Sequence, residues 1–251
     1  MSFFTPTAPV NEEERDWIEN GMTRLTQLFG FERLRTGPTI LPKPEFFPDR
    51  YTPNENGLEQ VSRKLCEYMD VEFNSLDLYL YSESSDVHRA RLAVWESSHS
   101  GAAGRYRAQE NGRFLIGVEM KLLKQPIKLV ATIAHELGHV LLLGSGKVDS
   151  GEEDHEYLTD LLTVYLGMGL FTANAAFQFT QWQDGQRYGW GSARQGYLSE
   201  PMFGYALAAY CWMRGEMKPA WERLLATNVR NVFNRSRKYL TKTGKTVLPR
   251  G

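Results

Sequence analysis

Cysteine is almost missing from this chain: Cys66 and Cys211 are the two among 251 residues, far apart and each inside an apolar, helix-like stretch. That argues against a disulfide framework and for buried free thiols in a reducing compartment. Net charge is nearly absent too, at −1, so nothing overall favours a nucleic acid or an anionic membrane as partner. The N-terminal MSFFTPTAPVNEEERDW has no basic segment leading into a continuous apolar one, so no secretory signal is read and a cytoplasmic location is expected. The most apolar stretch, Leu161 to Phe177, contains Gly167, Gly169 and Asn174 and follows Asp160 directly, and reads as a buried helix with its exit loop. With no internal repeat or low-complexity tract, the chain has the size of one large domain or two small lobes.

Histidine is scarce as well, at five residues, yet two of them share one motif: ATIAHELGHVLLL, Ala131 to Leu143, contains H-E-x-x-H as His135, Glu136 and His139. Residues four apart lie on one face of a helix, so both imidazoles can reach one metal ion. Glu136, beside that face, can reach a water held by the metal. This is the spacing of a zinc hydrolase: two neutral nitrogen ligands and an adjacent carboxylate base. The bland counterpart is a pair of histidines on the wet face of an amphipathic helix, with Val130, Ile133, Ala134, Leu137, Val140 and Leu141 as its core stripe.

The surrounding chain supplies a setting. Asn11 and Glu14 open a helix that Gly30 ends. Thr36 to Pro53 holds five prolines in eighteen residues and should run extended, anchored by Phe46 and Phe47. A second helix is expected over Glu55 to Met69. From Val71 the period changes to two: Leu76, Leu78 and Leu80 alternate with Asp77, Tyr79 and Tyr81, and RLAVW, Arg91 to Trp95, is β-rich. Arg105 to Ala108 and Phe114 to Met120 should form a hairpin about Asn111-Gly112. A sheet of about four strands therefore precedes the metal helix, which Pro126 starts and Gly144 and Gly146 end. Ser150 and Glu153 read as a capping box for the next helix, which carries Glu156 and Asp160. The aromatic, Gln/Gly-rich segment after Gly169 reads as a long loop with one short helix, followed by helices over Glu200 to Met213 and Pro219 to Ala226. The tail from Arg223 has eight Lys/Arg and no acid, the pattern of a basic solvated helix. The division expected is an N-terminal helix and Pro-rich arm over 1–53 and a metal-site domain over 54–251, its sheet part about 71–120 and its helical part about 126–251.

Two histidines do not complete a catalytic zinc site, which needs a third protein ligand and a position left to water. The following helix offers Asp154, His155, Glu156 and Asp160. Over Phe114 to Tyr165 the chain resembles the gluzincin metallopeptidases, the thermolysin-like class, in which H-E-x-x-H is followed one helix later by E-x-x-x-D. The resemblance implies a zincin-like α+β fold, with Glu156 as third ligand and Asp160 hydrogen-bonded behind His135. It also implies that the strand before the metal helix, FLIGVEM, forms the cleft edge that binds extended peptide. DHEYLTDLLTVYLGMGLFTAN is similar to a segment of uncharacterised bacterial metallopeptidase-like proteins. The metzincin form is excluded, because Val140, Leu141, Leu142 and Leu143 follow His139. His155 stands where that class often has Asn, which makes it and Asp160 rival third ligands to Glu156. For the group that steadies the oxyanion, the candidates are Tyr157, Arg194, Tyr197 and Tyr205; His88 and His99 read as surface histidines.

The expected chemistry is hydrolysis of an amide in a peptide or protein substrate, with one Zn2+ per chain and Glu136 as general base. Two alternatives stand beside it. One is a non-catalytic binding or regulatory module on a zincin fold, stabilised by zinc; the other is a metal-free polar cluster of the same residues.

Overall fold

The computed structural model describes residues 6–82, 104–180 and 198–251, the side chains of 177–180 excepted. It is α+β: a small mixed sheet packs against the helix that carries the H-E-x-x-H motif, and a mostly helical C-terminal region follows. The chain divides into two compact units, one of residues 42–152 and one of residues 1–41 with 153–251.

The first helix is α1 (Glu12–Phe29). The expected capping box forms, with the Asn11 side chain accepting from the Glu14 N–H and the Glu14 carboxylate accepting from the Asn11 N–H. Ile18, Met22 and Leu25 are wholly buried, so α1 belongs to a core and is no free arm. It packs on α5 (His155–Tyr165) and α7 (Glu200–Met213), with Gly21 pressed against Leu161. Short α2 (Phe31–Thr36) follows directly. The segment after Gly169, expected as a long loop with one short helix, has its described part helical through Thr180, as α6 (Gly169–Thr180), where Leu170, Phe171, Ala173 and Ala175 are all buried. The basic tail forms α8 (Thr227–Thr243), whose Val229, Phe233, Tyr239 and Leu240 are buried while Arg235, Lys238 and Lys242 are exposed. In place of the short helix expected before it there is a 3-10 turn over Ala220–Leu224.

In the other unit the Pro-rich stretch is pinned as expected. The rings of Phe46 and Phe47 both meet Tyr68 edge-on, and the Tyr68 hydroxyl donates to the Phe46 carbonyl. Helix α3 (Glu55–Met69) has the expected bounds, capped by Asn54. The sheet contains β1 (Leu76–Tyr81), β2 (Gly104–Ala108) and β3 (Phe114–Glu119) in the order β1-β3-β2. β1 runs parallel to β3, and β2 is antiparallel to it across a turn in which Gly112 takes φ +76°. Arg91 to Trp95, expected as a further strand, lies outside the described residues. Leu76 and Tyr81, of opposite parity in β1, are both buried, and the four residues between them are half-buried.

Against β2, β3 and α3 packs α4 (Pro126–His139), with proline in its first turn. A single π-helical turn, Val140–Gly144, continues it, and Gly146 at φ +69° closes the end. Pro126–Gly144 is long and apolar enough to cross a membrane by length and composition, but most of it is buried inside the protein. The Ser150–Glu153 capping box does not form. Asp149 instead folds the connection on itself, its carboxylate accepting from the Gly151 N–H and its own N–H donating to Glu152, and α5 starts only at His155.

One buried carboxylate holds the C-terminal end of the chain to α1. Glu19, only 3 % exposed, accepts from the Tyr205 hydroxyl at 2.6 Å and from the Val247 N–H at 2.9 Å. Glu19→Ala strands both donors. It should cost about 2–4 kcal/mol of stability, against about 1 kcal/mol for loss of the Asn11 cap by Asn11→Ala. Urea unfolding of the two variants checks the order, and equal costs would contradict it.

Candidate metal centre

α4 is buried along its whole length from Leu129, and its polar residues are buried with it. His135 and His139 are each 5 % exposed and Glu136 is 4 % exposed, so the wet-face reading of the histidines does not hold. One helical turn apart, the two rings meet edge to face with centroids 4.8 Å apart at 86°.

The sheet builds a wall beside them. Alternation along β2 turns Gly104 and Tyr106 to α4 and Arg105 to the opposite face. The Tyr106 ring stacks on His139 at 5.6 Å and 29°, and Phe114 stacks behind Tyr106 at 6.0 Å and 24°. Burial pushes the Tyr106 phenol up to about 12, so it stays protonated at neutral pH. The far side of the stack is closed by Gly144 in the π-helical turn, where a Cβ would lie 2.6 Å from Phe114 and 2.9 Å from the Tyr106 hydroxyl. Single π-turns of this kind gather at functional sites. Thr132, one turn before Glu136, points its methyl at Gly104. On the opposite face of the sheet the Arg105 guanidinium lies 4.6 Å over the Tyr81 ring. Burial drives the Tyr79 and Tyr81 phenols up; Arg105 opposes that rise, and the charge of Glu136 adds to it.

The order of strands corrects one expectation. FLIGVEM supplies β3, which is the central strand of the three, so it cannot offer a free edge there. The edge strand that packs on the metal helix is β2 among the described residues. The expectation followed sequence adjacency, but the hairpin folds β2 outward past β3.

α5 carries the remaining candidates. Glu156 stands in its first turn, partly buried, with its Oε1 3.7 Å from the His155 Nδ1. Asp154, just before the helix, accepts from the Trp17 indole N–H at 2.9 Å, and the Tyr157 ring meets Trp17 edge-on at 5.8 Å. Burial, then the charge of Asp160, raises the Tyr157 phenol. Asp160 is 3 % exposed, and one of its oxygens accepts from the Leu198 N–H at 2.9 Å. Tyr205 is spent on Glu19, its phenol pushed far up by burial and by that hydrogen bond, which leaves it a core residue and not an oxyanion stabiliser. Arg194, Tyr197, His88 and His99 lie outside the described residues.

Three of the candidates converge. One ligand atom each from His135, His139 and Glu156 lies within 4.8 Å of the other two; His155 and Asp160 are not in this group. Two imidazole nitrogens and one carboxylate oxygen in a largely dry setting are the donor set that zinc takes, and three protein ligands leave a position for water or substrate. The group is thus a zincin-like site able to hold a metal ion. Sequence reasoning missed Gly104 and Tyr106, which lie more than twenty residues before the motif and carry no spacing signal. Compared with known proteins, the chain matches no family model, no curated protein and no solved structure.

Elemental analysis of the purified protein should give about one zinc equivalent, and His139→Ala far less. Tyr106→Ala, which removes the ring behind His139, should weaken zinc binding by about 10-fold or more in competition with a chelator, whereas Tyr106→Phe keeps the stack and should change it little. Equal zinc content in His139→Ala and the parent protein would remove the assignment.

Proposed function

We propose that this protein is a cytoplasmic zinc hydrolase of the gluzincin type that cleaves peptide bonds in a peptide or protein substrate. The observation that carries the reading is the convergence of His135, His139 and Glu156, with Glu136 next to the first ligand on the same buried helix. His135, His139 and Glu156 would hold one zinc ion per chain. Zinc bound by such a set lowers the pKa of water toward about 7 and polarises a carbonyl oxygen.

The rest of the work falls to the chain. Glu136 takes a proton from the attacking water and returns it to the leaving amine nitrogen, so one carboxylate serves as base and then as acid. Asp160, buried on the helix of Glu156 and one turn further on, is placed by this reading behind His135, where a carboxylate fixes the tautomer that turns the other nitrogen to the metal. The extended substrate is assigned to β2, among the described residues the edge strand beside Glu136, in place of β3. Backbone pairing along such an edge recognises a peptide with little regard to its side chains.

Glu136→Gln separates chemistry from binding, because glutamine fills the same space and cannot take the proton. With a fluorescent casein or a mixed peptide library as probe, turnover should fall by about 100-fold or more, with zinc content and Tm unchanged. A Gln variant as active as the parent protein would overturn the mechanism.

A further inference from the structure

We propose that Gly104 is a positioning residue whose missing side chain forms the seat of the Glu136 carboxylate. A Cβ built on Gly104 would overlap Glu136 Oε1, lie 2.9 Å from Glu136 Cδ and lie 2.6 Å from the Thr132 methyl. Conformation does not explain the glycine. Gly104 is absent from the positive-φ positions and pairs in ordinary antiparallel register with Val118. Any L-residue could adopt that backbone, and glycine in a strand is a cost in entropy and in lost packing. A strand glycine under no conformational demand marks a close approach, and the group that approaches is the carboxylate.

Neither side of the gap can yield cheaply. β2 is laddered to β3 through Arg105↔Gly117, Tyr106↔Ile116 and Arg107↔Leu115, and Tyr106 is locked between Phe114 and His139. α4 is close-packed along its length. The movable element is the Glu136 side chain, so a methyl group at 104 displaces the carboxylate and leaves the histidines where they are. The catalytic consequence rests on Glu136 being the base; the steric one does not.

The test therefore has two readouts. In metal-free protein, Gly104→Ala should lower Tm by about 2–10 °C. The same change in a Glu136→Ala background should cost much less, because the obstructing carboxylate is gone. Equal losses in both backgrounds, or recovery of Tm by Thr132→Ser in place of Glu136→Ala, would overturn the seat. If Gly104→Ala alone does not fold, rescue by Glu136→Ala supports the seat and failure of rescue overturns it. In zinc-loaded protein with the casein probe, Gly104→Ala should reduce kcat about 10-fold or more, with zinc affinity and KM within about 3-fold. Against Glu136→Asp, whose carboxylate is one methylene shorter, Gly104→Ala should cost no more than about 2-fold further. Parent protein that binds zinc but cleaves nothing would defeat the peptidase reading, while the Tm comparison still decides the seat.

Discussion

Burying ionisable side chains is the constraint on which the rest of this structure depends. A carboxylate or imidazole taken out of water is costly unless it gains a partner, and α4 takes three such groups, His135, Glu136 and His139, into a buried stretch from Leu129 on otherwise made of Leu, Val, Ile, Ala, Thr and Gly. The cost is offset when the groups converge on something that needs them. His135 and His139 converge with Glu156, and a divalent cation gathers two imidazoles and a carboxylate in one stroke. Aromatic rings take over where hydrogen bonds cannot reach: Tyr106 covers the flat face of His139 and Phe114 covers Tyr106.

The elements that pack by their own periodicity were legible in the sequence. Glu55–Met69 and Glu200–Met213 could be bounded to the residue, because each has a cap residue before it and a steady apolar content. The hairpin about Asn111-Gly112 was legible from turn chemistry. His135 and His139 were legible because a helix converts a spacing of four into a shared face; Glu156 was one of three candidates on the next helix, with His155 and Asp160, and only the gluzincin resemblance favoured it.

What escaped the sequence was decided by one local competition and otherwise by contacts far along the chain. The Ser150–Glu153 signal lost to Asp149, whose carboxylate satisfied the local N–H groups first. The short helix expected somewhere after Gly169 could not be placed from the Gln, Gly and Asn content; burial of Leu170, Phe171, Ala173 and Ala175 goes with a helix over Gly169–Thr180. The α1 helix was legible from its cap and apolar stripe, but not that it packs on α5 and α7. Strand order hid the edge, since nothing in FLIGVEM tells that GRYRA folds to its outside. Gly104 and Tyr106 were invisible for the same reason: a glycine and a tyrosine in a strand say nothing until the helix that faces them is in place.

With no similar protein of known activity, the functional reading stands on the chemistry of these side chains alone. Its central claim is that His135, His139 and Glu156 hold zinc with a position left open. X-ray absorption at the zinc edge of the zinc-loaded protein measures that directly. The expected spectrum has two imidazole nitrogens at about 2.0–2.1 Å and light oxygen scatterers at about 2.0–2.2 Å, with a shell that changes when a hydroxamate is added. A third imidazole in place of the carboxylate, a sulfur shell at about 2.3 Å, or a closed set of four protein ligands indifferent to hydroxamate would contradict it.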